Sequence, residues 1–158
     1  MSAAVKGGLG LGIAVVVFNL IFLGAGMHRN PLLGFLAIAI YIGLTILFLV
    51  LALRKSRTEN PYLKQVMSSV VLGVVAAVII TIGSIVLTTM VFPDSIQQQS
   101  EATLEFLEGA NLPQEALDAQ IEKLESLTAN GQAIQGGIFT IITCLVVGLI
   151  AAIFVRKK

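Results

Sequence analysis

Side chains able to do chemistry are unevenly spread along this 158-residue chain, and most of the ionisable ones fall in a single stretch. Between Pro93 and Asn130 stand Asp94, Glu101, Glu105, Glu108, Glu115, Asp118, Glu122 and Glu125, with Lys123 as their only basic neighbour. Carboxylates in pairs can pass a proton or hold a cation. This group has no Cys or His and lacks the Asp-x-Asp-x-Asp-Gly spacing of a calcium loop, so it specifies no metal geometry. A solvated helix surface is the plainer reading. His28 stands beside Arg29 with no Cys, Asp or Glu at ligand spacing, and reads as an interfacial residue rather than a ligand. Cys144 is the single cysteine, which excludes an intramolecular disulfide and a thiol pair that cycles electrons. No Gly-x-x-x-x-Gly-Lys phosphate loop, His-Glu-x-x-His helix or Gly-x-Ser-x-Gly elbow occurs. The sequence therefore points to no catalytic residue, no cofactor and no metal, and to a protein that is not an enzyme.

The remaining polar groups lie inside apolar runs: Asn19, Tyr41, Thr45, Thr81, Ser84, Thr88, Thr140 and Thr143. In lipid such groups hydrogen-bond between helices, and the Asn19 amide above all requires a partner. No Asp, Glu, Lys, Arg or His lies deep within these runs, so the usual mark of intramembrane catalysis or charge-coupled transport is missing.

The elements that carry these groups follow from composition. Apolar residues make up 56% of the chain and charged ones 12%, against roughly 45–50% and about 25% in soluble domains. Four runs, residues 8–27, 32–53, 65–92 and 134–155, each supply the roughly 20 apolar positions that a membrane span needs. The expectation is an all-α membrane protein, one four-helix transmembrane domain over residues 1–158. Lys6 and Gly24-Ala25-Gly26 would also fit a cleaved signal peptide, although the first run exceeds the roughly 7–15-residue core of such signals. The tight turn His28-Arg29-Asn30-Pro31 makes spans one and two an antiparallel hairpin, with Pro31 in a first helical turn. Tyr62 suits the headgroup level at the start of span three. That span is the longest and is expected to tilt or protrude.

Residues 93–130 read as two short amphipathic helices lying over the membrane surface. The first covers 95–108, with Ile96, Thr103, Leu104 and Leu107 on one face and Gly109 as terminator. The second follows Pro113, repeats Leu117, Ile121, Leu124 and Thr128, and is expected to end at Asn130-Gly131. Leu104, Leu107, Leu117, Ile121 and Leu124 would close this hairpin or dock a partner.

Two stripes of small residues at a spacing of four set the helix packing. Span three carries Ser69, Gly73, Ala77 and Thr81, continued by Ser84 and Thr88; span four carries Gly136, Thr140, Cys144, Gly148 and Ala152. Small faces allow close approach of helices in lipid, so the two spans are expected to pair. Orientation follows from the basic residues. Lys6, Arg54, Lys55, Arg57, Lys64, Arg156, Lys157 and Lys158 share one side, which leaves Arg29 and Lys123 opposite with all the acids but Glu59. Basic residues near span ends are retained in the cytoplasm, so both termini are expected there and the acidic insert outside. With its basic residues used by topology, the chain has the lipid bilayer and no nucleic acid as its expected partner.

The basic loop with Asn60-Pro61-Tyr62, the long third span, the acidic two-helix insert and the final Ile153-Phe154-Val155-Arg156-Lys157-Lys158 together resemble a known family. The chain is similar, over nearly its whole length, to the small Bacteroidota membrane proteins catalogued as domain of unknown function 4199. The resemblance implies an inner-membrane location with the insert in the periplasm and carries over no catalytic residue. Two functional expectations stand. One is a structural, accessory or scaffold subunit that packs through its small-residue faces against a membrane-protein partner or its own copies, with the acidic hairpin for docking. The other is a small homo-oligomeric transporter or channel for a weakly charged solute passing Ser84, Thr88 and Thr140.

Overall fold

Local side-chain caps open several of the helices. In the computed structural model, which describes residues 2–55, 62–110 and 113–155, the Ser2 side chain accepts a hydrogen bond from the Val5 N–H and opens α1, Ala3–Gly24. Gly26 then adopts φ +69°, a left-handed conformation that costs glycine little, and turns the chain into a short 3-10 segment, Met27–Arg29. Asn30 accepts the Leu32 N–H at 3.0 Å and starts α2, Pro31–Lys55, with Pro31 in the first turn as its missing N–H favours. α3 covers Tyr62–Val86 and passes directly into a five-residue π turn, Leu87–Val91. Two shorter helices follow, α4 at Ser95–Gly109 and α5 at Gln114–Glu125, before α6 at Ala129–Val155. All regular structure among the described residues is helical. Glu59, Asn60 and Pro61, with Arg57 and the terminal Arg156, Lys157 and Lys158, lie outside the described residues.

Two boundaries differ from the sequence expectation. Asn130 and Gly131 do not end α5; they sit in the first turn of α6, where the Thr128 hydroxyl accepts the Gly131 N–H at 3.1 Å. A capping threonine outweighs the turn propensity of Asn-Gly when an apolar helix follows it. Span three is not one continuous α-helix to residue 92, because at Leu87 the backbone widens so that the Phe92 N–H donates to the Leu87 carbonyl. The hydroxyls of Thr88 and Thr89 fold back onto the carbonyls of Ser84 and Ile85 at 2.8 and 2.6 Å, satisfying acceptors beside the altered ladder.

Four helices are long and apolar enough to cross a membrane: Ala3–Gly24, Pro31–Lys55, Tyr62–Val91 and Ala129–Phe154. Their outward faces carry large apolar side chains such as Ile21, Phe35, Leu47, Val78, Ile138 and Phe154, an arrangement suited to lipid and not to water. The chain is a multi-pass membrane protein by this architecture.

Around the bundle the order is α1, α2, α6, α3, so that α1 and α6, and α2 and α3, are the two diagonals and touch least. α3 is the main packing element, flanked by α6 on one side and α1 on the other. Between α3 and α6 the register is antiparallel. A Cβ on Gly148 would strike Ser69, one on Gly73 would lie 2.8 Å from the Cys144 Cβ, and one on Gly137 would strike the Thr81 hydroxyl. Between α3 and α1 the register is parallel: a Cβ on Gly8 would come within 2.6 Å of the Leu72 carbonyl oxygen, one on Gly12 within 2.7 Å of Ile79, and one on Gly83 would strike Val16. Leu11, Leu49, Leu53, Leu72 and Ala76 fill the middle and the end that holds the N-terminus. At the opposite end, where α4 and α5 lie, the packing opens.

Candidate solute-binding cavity

Loosening at the hairpin end has an identifiable cause. The wider π turn, the non-helical bend at Gly26 and the start of α6 all occur at this level, so side chains converge without closing on one another. A cavity of about 220 Å³ results, with walls from every span and a roof from α4. Its polar lining consists of Asn19 from α1, His28 from the 3-10 segment, Ser84 and Thr88 from α3 and the π turn, Ser95 and Gln99 from α4, and Gln132 from α6. Phe22, Leu23, Ala37, Leu87, Ile96 and Ala133 make it partly apolar. His28 is its one ionisable lining residue among those described.

Two of these polar groups are buried and unsatisfied. His28 is 8% exposed and Ser95 4%, yet His28 Nδ1 and Ser95 Oγ have no hydrogen-bond partner among the described residues. A buried polar atom without a partner costs on the order of 1–3 kcal/mol, so its retention calls for an explanation. Helix ends add a second polar influence. The first residues of α4, Ser95 and Ile96, and of α6, Ala129 and Gln132, line the same space, bringing two positive dipole ends to it. Asp94 precedes α4 without a side-chain cap, and the Ser95 N–H at its start donates to the Phe92 carbonyl at 3.1 Å.

α4 is fastened over the cavity at two points. Gln98 Oε1 lies 3.0 Å from His28 Nε2 and accepts from Arg29 Nε at 3.0 Å, while Gln132 Nε2 donates to Gln99 Oε1 at 3.2 Å. On the far side of this fastening a second, outer cavity of about 430 Å³ runs between the Gly26 bend and Phe92, and shares Leu23, His28 and Ser95 with the inner one. His28 and Ser95 thus stand between an outer and an inner chamber.

Other polar groups expected to matter are distributed differently. Thr140 does not line the cavity; fully buried, it accepts from Tyr41 Oη at 2.7 Å and donates to the Gly136 carbonyl at 2.7 Å, while Thr45 bonds the Tyr41 carbonyl. Thr81 donates to the Ala133 carbonyl at 3.4 Å. The Tyr41–Thr140 and Thr81–Ala133 bonds tie α6 to α2 and to α3. Ser69, Gly73, Ala77, Cys144, Gly148 and Ala152 are all buried between helices, whereas a Cβ on Gly136 would meet nothing within 4 Å and close approach at that level falls to Gly137. On the hairpin, Leu104, Leu107, Leu117, Ile121 and Leu124 are half-buried where α4 meets α5. Sequence reasoning passed over Gly8 and Gly12, although their spacing of four was visible, and over Ser95 and Gln98, for which no spacing could have served.

A family model described as "Protein of unknown function (DUF4199)" matches residues 6–157. The chain belongs to this family. No curated protein and no solved structure matches it.

Proposed function

We propose that this membrane protein binds a small, uncharged solute in the inner chamber at its hairpin end, as the capture step of transport and without chemical change to the solute. In this reading it sits in the inner membrane with both termini cytoplasmic and the chambers facing the periplasm, as the basic residues at the opposite end favour. The observation that carries it is a cavity of about 220 Å³ lined from all four spans and α4, with Asn19, His28, Ser84, Thr88, Ser95 and Gln132 as polar residues among Phe22, Leu23 and Leu87. Small-molecule sites have this mixed lining with a few convergent polar groups. Towards the cytoplasmic side Leu11, Val15, Leu49 and Leu72 are packed solid, so passage requires a second arrangement of the helices rather than a standing pore.

Thermal unfolding of the full chain in nanodiscs against a panel of small neutral solutes tests this. A binder at 100 times its Kd stabilises by about 2.7 kcal/mol. The stabilisation should vanish in Ala37→Leu, which fills the chamber. A panel that stabilises nothing, or stabilises that variant equally, removes the proposal. Flux into liposomes then separates transport from binding alone.

An accessory-subunit reading is favoured by a different observation. The hairpin exposes its carboxylates together with Phe106, which is 45% exposed. An aromatic ring set among acids is a fitting anchor for a basic, partly apolar protein surface.

A further inference from the structure

A second opening lies at the other end of the bundle, apart from the two chambers. α2 and α6 run in the same direction and are joined near their middle, where Tyr41 Oη donates to Thr140 at 2.7 Å and the rings of Tyr41 and Phe139 stand 5.8 Å apart. Beyond that level the buried residues of α6 are small, Gly148, Ala151 and Ala152, and leave the seam outside them unfilled. A groove of about 600 Å³ results. Ala151, 8% exposed, is its most buried lining residue; Val50 and Val147 are half-buried, and Ile46, Arg54 and Phe154 line it from the exposed surface.

Length and charge identify the occupant. From Ile46 to Arg54 the groove runs about 12 Å at 1.5 Å per residue, close to the roughly 15 Å that one leaflet contributes to a roughly 30 Å hydrocarbon core. An apolar trough of that length on a lipid-facing surface takes an acyl chain. Arg54 is the one charged lining residue, in the last turn of α2 beside exposed Lys55. Among the described residues every carboxylate lies on or next to α4 and α5, at the opposite end, so none neutralises this pair. Arg156, Lys157 and Lys158 follow α6 directly in the chain. The carboxyl ends of α2 and α6 carry about half a negative charge each, too little to offset these basic residues.

We propose that this groove holds an acyl chain of an anionic phospholipid whose headgroup phosphate pairs with the Arg54 guanidinium. The guanidinium fork matches phosphate oxygens two at a time. A zwitterionic headgroup brings its own cation to the same basic cluster and is disfavoured.

The chain has no tryptophan, so Phe154→Trp puts a single fluorescent reporter at the groove, and Phe35→Trp puts one on the exposed face of α2 near its other end as a reference. Each full-length variant is reconstituted in mixtures of phosphatidylglycerol and phosphatidylcholine with identical chains, one of the two brominated, and quenching gives their relative affinity at each reporter. Phosphatidylglycerol should be favoured at least about fivefold at the groove, the value of one basic residue near a membrane surface, and show no preference at Phe35→Trp. Adding Arg54→Gln should abolish the preference and Arg54→Lys should retain most of it. Ala151→Met, which fills the groove and leaves every charge in place, should reduce it. Each added substitution is also paired with Phe35→Trp, whose unchanged quenching shows the bundle intact. Equal quenching by the two lipids at the groove overturns the proposal. A preference that survives Arg54→Gln or Ala151→Met does so too, because it then belongs to the basic surface as a whole. A groove reporter that neither lipid quenches, with the reference quenched normally, assigns the groove to a second copy of the chain and also overturns it.

Discussion

Single carbon atoms decide the packing of this bundle. In lipid the hydrophobic effect does not drive helices together, so contact must come from dispersion and hydrogen bonds at short range. Gly148 shows the consequence: a methyl group there collides with the Cβ of Ser69, an atom fixed to the α3 backbone, and the two helices must part. Gly34 on α2 has nothing within 4 Å of the same added atom. Gly148→Ala should therefore lower unfolding free energy by about 1–3 kcal/mol, the range for overpacking, whereas Gly34→Ala should leave stability unchanged or raised. Reversible unfolding of both variants in detergent with a denaturant series checks this, and equal effects would remove the register described for α3 and α6. The stripes that carry Gly73 and Ala77 on α3 and Cys144 on α6 were readable from sequence because a spacing of four along one helix is visible in the residue types alone. At Gly136 the pattern misleads by one position, since Gly136 and Gly137 are adjacent and only the rotation of α6 about its axis determines which of them meets Thr81.

At the scale of elements, the hairpin and the π turn follow different rules. Leu104, Leu107, Leu117, Ile121 and Leu124 are half-buried with charged residues between them exposed, as expected for two amphipathic helices closing on each other. Leu117→Ser combined with Leu124→Ser should raise amide exchange across α4 and α5 by at least tenfold while α1, α3 and α6 stay protected. Unchanged exchange would show that these leucines do not hold the hairpin together. If the accessory reading is right, the same variant should also lose a stoichiometric partner from the native particle, whose mass and composition are measurable in mild detergent. The hairpin was legible from its spacing of three and four. The π turn was not, because Leu87-Thr88-Thr89-Met90-Val91 is as compatible with an α-helix as with a π turn, and the difference lies in where the carbonyls of Ser84 and Ile85 find their donors.

For the whole molecule, the decisive property is which end faces the cytoplasm. Eight of the ten basic residues fall at one end of the chain's topology, and that asymmetry predicts the hairpin outside. Cys144 is buried, so a Cys144→Ser background leaves introduced cysteines as the only reporters. With a membrane-impermeant maleimide on intact cells whose outer membrane has been opened, Glu108→Cys on α4 should label at once and Ser2→Cys only after the inner membrane is permeabilised. The reverse pattern would place both chambers on the cytoplasmic side and overturn periplasmic capture.

The sequence by itself determined the number of spans, their approximate limits, the acidic two-helix insert and the small faces on the third and fourth spans. Each of these depends on composition or on a period along one helix, and the cost of leaving backbone amides unpaired in lipid allows little else. Tertiary structure alone decided that α1 lies parallel to α3 through Gly8, Gly12 and Gly83, and that Thr140 bonds Tyr41 instead of lining a path. It alone brought His28, Arg29, Ser95 and Gln98 together. About seventy positions of chain separate His28 from Gln98, and no local pattern carries the rotation and tilt that set one beside the other.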